Sequence, residues 1–183
     1  MRAFVALEIP DNVVRSLVDF QNELEATKAD IKLVERENLH LNLKFLGEIT
    51  DAQRAEVGSR LAGLSIRGVE VGVRGAGGFP SSGRPRVVWA GVARGDEGVL
   101  TQIAESVKTA LEGIGERDDR PFRAHITLGR VRSPRNSREL SEFLSANSGR
   151  EFGVAKISEL KFKSSLLTPG GPIYRDLGVY LLG

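Results

Sequence analysis

The chain has no cysteine, one tryptophan, one methionine, two tyrosines and only two histidines. Each scarcity removes a class of chemistry. Without cysteine there is no disulfide scaffold, thiolate zinc site, iron–sulfur cluster or cysteine nucleophile. Two histidines, His40 and His125, are too few for a His-rich metal centre, so neither a metal nor another cofactor is expected. Long apolar runs are also missing. The opening MRAFVALEIP is interrupted by Glu8 and Pro10, which makes it too short for a signal peptide or a membrane span. No membrane partner and a cytoplasmic location are therefore expected. The 21 glycines show no triplet period and no heptad persists, which excludes collagen-like and coiled-coil architectures. Net charge is only +2, and branched apolar residues occur throughout, unlike a disordered chain.

What remains is ordinary globular composition: 183 residues, 40% hydrophobic and 27% charged. That length suits one domain, or two small lobes, with a real core. The basic residues are mainly arginine. Seven arginines and two aspartates lie between Arg117 and Arg138. Guanidinium forks suit phosphate, although a solvated surface would give the same count.

Periodicity predicts strands at 3–8, 39–46, 69–73, 87–92, 125–131, 155–162 and 174–181. It predicts helices starting at Asp11, at Thr50 or Asp51, at Asp96 and at Ser133, the first three opened by capping side chains. The order strand, helix, strand, helix, strand occurs twice. Asp11, Phe4 and His40 each have a counterpart 85 residues later in Asp96, Trp89 and His125. The expected fold is therefore α+β and duplicated, with repeat halves of about 1–85 and 86–183. Two lobes related by a pseudo-twofold axis would each carry an antiparallel sheet and two helices, with the active site in the cleft between them. No exposed apolar stripe demands a partner, so a monomer is expected. Gly75–Gly78 with Pro80–Gly83, and Thr168–Pro172, read as loops, or as rims over a cleft. No Gly-Lys-Ser/Thr comes after either one, so neither is a P-loop.

The two histidines carry the chemistry. Strand alternation puts His40 with Asn42 on one face, opposite Leu41, Leu43 and Phe45. It puts His125 with Thr127 on one face, opposite Ile126 and Leu128. If the two polar faces look at each other, two imidazoles flank one ligand. One can take a proton from a nucleophile while the other gives one to a leaving group. Asn42 and Thr127 can donate hydrogen bonds to phosphate oxygens. This set, without thiol or metal, fits phosphodiester chemistry at a ribose. A single such histidine would read as structural; two in duplicated positions do not.

The stretches Glu37–Glu48 and Phe122–Arg130 carry these motifs. With Arg2–Pro10, Arg86–Gly91 and Tyr174–Leu177, they resemble the 2H phosphoesterase superfamily. Within it they resemble the RNA 2′,3′-cyclic phosphodiesterase (2′-5′ RNA ligase) family, over nearly the whole chain. The resemblance implies hydrolysis of an RNA 2′,3′-cyclic phosphate end to a 2′-phosphate, without metal. It also implies a second activity, joining tRNA halves through a 2′-5′ linkage. It makes His40 the proton donor to the departing 3′-oxygen, His125 the proton acceptor from water, and Thr127 a phosphate ligand. The family motif has Thr where this chain has Asn42, whose amide donates from a longer arm. Arg130, Phe4 and Tyr174 become candidate nucleotide contacts. Alternation alone would turn Arg130 toward the core, unless a bulge at Gly129 redirects it, and Phe4 also reads as a core residue. Two other functions fit the same residues: a non-catalytic RNA-end or nucleotide-binding module, and a hydrolase of another small phosphodiester.

Overall fold

The computed structural model describes all residues, 1–183. Alternating or continuous apolar runs give nine strands. These are β1 (Arg2–Glu8), β2 (Ile31–Leu33), β3 (His40–Glu48), β4 (Val69–Phe79), β5 (Val87–Val92), β6 (Ile126–Val131), β7 (Glu151–Ile157), β8 (Glu159–Thr168) and β9 (Gly171–Leu181). Four amphipathic helices cover one face: α1 (Asp11–Glu25), α2 (Asp51–Ala62), α3 (Glu97–Ala110) and α4 (Ser137–Ala146). No helix is long and apolar enough to cross a membrane.

Every strand pairing is antiparallel, in the order β7-β4-β5-β6-β3-β1-β8-β9, with β2 added to β6. The two lobes are the two ends of this sheet. They meet where β3 and β6 share a single backbone pair, Leu41 with Ile126. Beneath them runs one apolar cluster of 37 buried residues.

The lobes do not coincide with the repeat halves. β4, from the first half, sits between β5 and β7 of the second; β8, from the second, pairs with β1 of the first. The helices cross as well: α1 packs on β7 and α4 on β4, while α3 packs on β3 and α2 on β9. Each lobe therefore holds four strands of the main sheet and two helices drawn from both halves. Periodicity reads the faces of elements but not which neighbour they choose, so this exchange is invisible to it.

Local readings hold in part: the expected strand 155–162 is split between β7 and β8 at Ser158, and the helix expected from Ser133 starts at Ser137. Thr50 caps α2 in a reciprocal box with Gln53, as its sequence suggests. Asp11 lies inside α1 and pairs with Arg15 and Arg36. Asp96 precedes α3 but turns its carboxylate to the Gly72 N–H, at 2.8 Å, tying α3 to β4. The run Gly75–Gly78 is strand, not loop. Gly75 has φ +84° at a register shift, and a Cβ on Gly77 would lie 2.5 Å from the Trp89 indole. These glycines serve close approach, not a turn.

One docking contact fixes the loop after α3. Gly115 has φ +73°, and a Cβ there would lie 2.3 Å from the Leu46 carbonyl oxygen of β3. Gly113 has φ +82° but nothing near it. Gly113→Ala should therefore cost only the left-handed backbone penalty, about 1–2 kcal/mol. Gly115→Ala should cost about 1–3 kcal/mol more, from the added clash. Urea unfolding of both variants checks this as a difference in midpoint at unchanged m-value.

Candidate active site

The backbone pair at Leu41 and Ile126 decides the arrangement of the site. In an antiparallel pair, register runs in opposite directions on the two strands. Continuing it places His40 across from Thr127 and Asn42 across from His125. Each imidazole thus faces the small polar residue of the other repeat, and the pseudo-twofold axis passes through the bridge. Leu41 and Ile126 are fully buried, so the four polar residues occupy the opposite, helix-free face. All four line one cleft of about 830 Å³. His40, His125 and Thr127 are half-buried, and Asn42 is exposed.

Aromatic rings hold the imidazoles. Phe4 stacks on His40 at 5.0 Å, with Tyr174 edge-on to both. Phe79 meets His125 edge-on at 5.1 Å and packs on Trp89. Phe4 and Trp89 are repeat partners, so each histidine has an aromatic pair behind it. Phe4 is only 3% exposed and does not line the cleft. It backs His40 and offers no face to a base, because the imidazole already covers it. Tyr174 does line the cleft, beside Gly170–Pro172 of the β8–β9 turn. That turn is thus part of the rim.

A bulge after each motif redirects the side chains beyond it. Along β5 and β6, Trp89 pairs with Thr127 but Val88 with Gly129, which leaves Leu128 as the extra residue. Along β1 and β3, Ala6 pairs with Asn42 but Val5 with Lys44, which leaves Leu43 extra. Leu43 and Leu128 are 85 residues apart, so the bulge is duplicated too. Both keep their side chains buried. Beyond them the alternation is reset. Arg130 accordingly points to solvent and lines the cleft. Its counterpart Phe45 also lines the cleft, with the Arg2 guanidinium 4.7 Å above its ring. Plain alternation puts Phe45 with the core leucines instead.

The protonation states are set by burial and by one carbonyl. His125 Nδ1 lies 2.6 Å from the Arg123 carbonyl oxygen. A carbonyl only accepts, so Nδ1 carries the proton, and the neutral ring keeps its Nε2 lone pair for the cleft. Burial lowers the pKa of His125, and the Arg130 charge adds to this. His40 is more deeply enclosed. Its Nδ1 is buried without a partner in hydrogen-bonding geometry; the Asn38 backbone favours its protonated form but does not close that bond. Burial takes its pKa down to about 4, and Lys163 and His125 push the same way. Lys163 belongs to a partly buried network. Its ammonium bonds Asp176 at 2.6 Å, while Lys161 bridges Glu8 and Asp176. Alternation along β8 does not reveal these two lysines, whose pairing depends on β1 and β9.

Protonation of His40 is linked to stability. Unfolded, the imidazole takes its proton near its ordinary pKa of about 6.5; folded, only near 4. Between these values the unfolded chain binds more protons, so stability falls as pH drops from 6.5 to about 4. Denaturant titrations across this range should show that slope, and His40→Gln should flatten it.

Known proteins resemble the chain over its whole length. The pattern of the LigT-like phosphoesterase family matches residues 7–89 and 95–174, one stretch per repeat. An RNA 2′,3′-cyclic phosphodiesterase of Archaeoglobus fulgidus is 39% identical over 98% of this chain and 99% of its own length. One of Methanothermobacter thermautotrophicus is 34% identical over 100% and 99%. A Thermus thermophilus protein of known structure superposes with a TM-score of 0.79, at 29% identity, over 100% of this chain and 98% of its own. The chain, with its two lobes joined at the histidine strands, belongs to the LigT-like phosphoesterase family.

Proposed function

We propose that the protein is an RNA 2′,3′-cyclic phosphodiesterase that opens the ring to a 2′-phosphate by two-histidine acid–base catalysis. The observation that carries this reading is the quartet across the Leu41–Ile126 bridge, two imidazoles and two hydrogen-bond donors lining one cleft. Full-length relatives named for this activity support it.

In this mechanism the cyclic phosphate lies between the imidazoles. The Asn42 amide and the Thr127 hydroxyl donate to its non-bridging oxygens and stabilise the charge that grows on them. His125 Nε2, with Nδ1–H held by the Arg123 carbonyl, takes a proton from water. The hydroxide oxygen bonds to phosphorus as the P–O3′ bond breaks. His40 gives its proton to O3′, leaving a 3′-hydroxyl and a 2′-phosphate. In the free protein His40 is neutral at pH 7, because burial holds its pKa near 4. The bound phosphate anion supplies the opposite charge that restores its proton. Arg130 and Tyr174, both on the cleft wall, flank the terminal nucleoside. Both proton transfers run between imidazole, water and substrate, so the proposed reaction is metal-independent. With the 5′-hydroxyl of a second RNA in place of water, the same proton transfers run in the same direction: His125 takes the hydroxyl proton, the new P–O5′ bond forms as P–O3′ breaks, His40 protonates O3′, and the product is a 2′-5′ linkage.

Hydrolysis of a short RNA ending in a 2′,3′-cyclic phosphate tests this, in buffer containing EDTA. His40→Ala and His125→Ala should each lower kcat by about 10²–10⁴-fold, and the wild-type rate should be unaffected by EDTA. The wild-type kcat should trace a bell against pH, with the alkaline limb absent in His40→Ala. Retained activity in either variant contradicts the two-histidine scheme. Tight binding without turnover by the wild type would favour a binding module instead.

A further inference from the structure

A row of side chains crosses the helix-free face of the sheet beside His40. Residues directly opposite each other in an antiparallel pair share a face. Asp176 of β9 lies across from Lys163 of β8, and Lys163 lies across from Phe4 of β1. Phe4 in turn stacks on His40 at 5.0 Å. Tyr174, two residues before Asp176 on β9, meets both rings edge-on. Lys163 thus stands behind the aromatic wall of His40. It is the only charged residue of the chain that is buried. Lysine is almost never buried without a partner, and the acid–base scheme leaves this one without a part.

The network around Lys163 is neutral in sum but uneven in exposure. Glu8, Lys161, Asp176 and Lys163 form a chain of ion pairs, two carboxylates against two ammonium groups. Glu8 lies across from His40 in the β1–β3 register, yet its side chain is 42% exposed and is held by Lys161. The Lys163 side chain is 11% exposed. Water and ions screen the exposed anion far more than the buried cation, so the cation governs the field at the imidazole. From β1, Arg2 is spent on the Phe45 ring. Across the cleft stand His125 and Arg130 of β6, Tyr174 of β9, and Lys32 paired with Glu35. Of all these groups, Lys163 and then His125 are the ones whose charge lowers the pKa of His40.

Resting on the cyclic-phosphate reading, we propose that Lys163 is a positioning residue for the acid step: its buried ammonium, restrained by Asp176, acts on His40 across Phe4 and keeps the imidazole proton transferable. The bound phosphate anion draws a proton onto His40. The ammonium opposes that pull, so the imidazolium of the complex stays acidic enough to give its proton to O3′. Asp176 sets the strength of the opposition by cancelling part of the ammonium charge. Removing the ammonium and removing the carboxylate both break the ion pair, but they change the field at His40 with opposite sign.

The test measures kcat against pH on a short RNA ending in a 2′,3′-cyclic phosphate, and titrates both histidines of the free protein by NMR. A purely structural ion pair would make Lys163→Met and Asp176→Asn behave alike; a charge acting on His40 moves them apart. Lys163→Met should carry the alkaline limb of kcat and the His40 titration up by about one pH unit. Asp176→Asn should carry both down. Lys163→Arg should keep the wild-type values, and the His125 titration should stay in place in all three variants. Asp176→Asn carries the test alone should Lys163→Met fail to fold. Shifts of the same sign, or none, overturn the proposal and leave the phosphodiesterase reading in place. An NMR shift with an unmoved alkaline limb also overturns it, because the charge then has no part in the acid step. Failure of the wild type to turn over the RNA defeats the underlying reading, and the role of Lys163 with it.

Discussion

The site depends on one backbone contact. Leu41 and Ile126 are the only paired residues of β3 and β6, and they lie at the centre of the duplicated motif. Because the pairing is antiparallel and the motifs are identical in spacing, that contact alone sets His40 against Thr127 and His125 against Asn42. A slip of one residue would move every one of these side chains to the opposite face. The apolar floor opposes such a slip. Leu41, Leu43, Ile126 and Leu128 are buried in the common core, and turning them to water would cost several times a typical hydrogen bond.

Around that contact the protein builds an environment that disfavours charged imidazole. Each ring is packed against aromatic carbon and removed from water, which disfavours its charged form. The cations that would add to this are partly cancelled: Lys161 and Lys163 share Asp176 and Glu8. The two histidines then differ in a useful way. His125 has its Nδ1 proton fixed by a carbonyl and an open Nε2, as a base requires. His40 has no comparably formed bond at Nδ1, and in the proposed mechanism the bound phosphate supplies the charge that protonates it. Similar positions in a duplicated fold thereby take up different states.

Much of this is legible in the sequence. The histidine pair, the small polar residue sharing its face, the 85-residue offset and the α+β class all come from local pattern, because strand alternation and helix periodicity are local. Positions that depend on partners are not legible. Arg130 and Phe45 reach the cleft through bulges at Leu128 and Leu43, and a bulge is a property of two strands. Asp96 looks like a cap, yet bonds Gly72 of a strand that the sequence assigns to the other repeat. The Gly75–Gly78 run looks like a loop because glycine is common in loops; here it makes room for Trp89. β2 has only three residues, too few for any periodicity, although its presence on one side and absence on the other shapes the cleft.

In the proposed mechanism the two imidazoles act on opposite sides of one phosphorus, water entering at His125 and the 3′-oxygen leaving at His40. The most direct measurement is the position of the product phosphate. Hydrolysis of an RNA 2′,3′-cyclic phosphate in ¹⁸O-labelled water, followed by phosphorus NMR, reports both the bond broken and the oxygen gained. A 2′-phosphate bearing one labelled oxygen should be the sole product; a 3′-phosphate, or a mixture of isomers, would rule out departure of the 3′-oxygen alone.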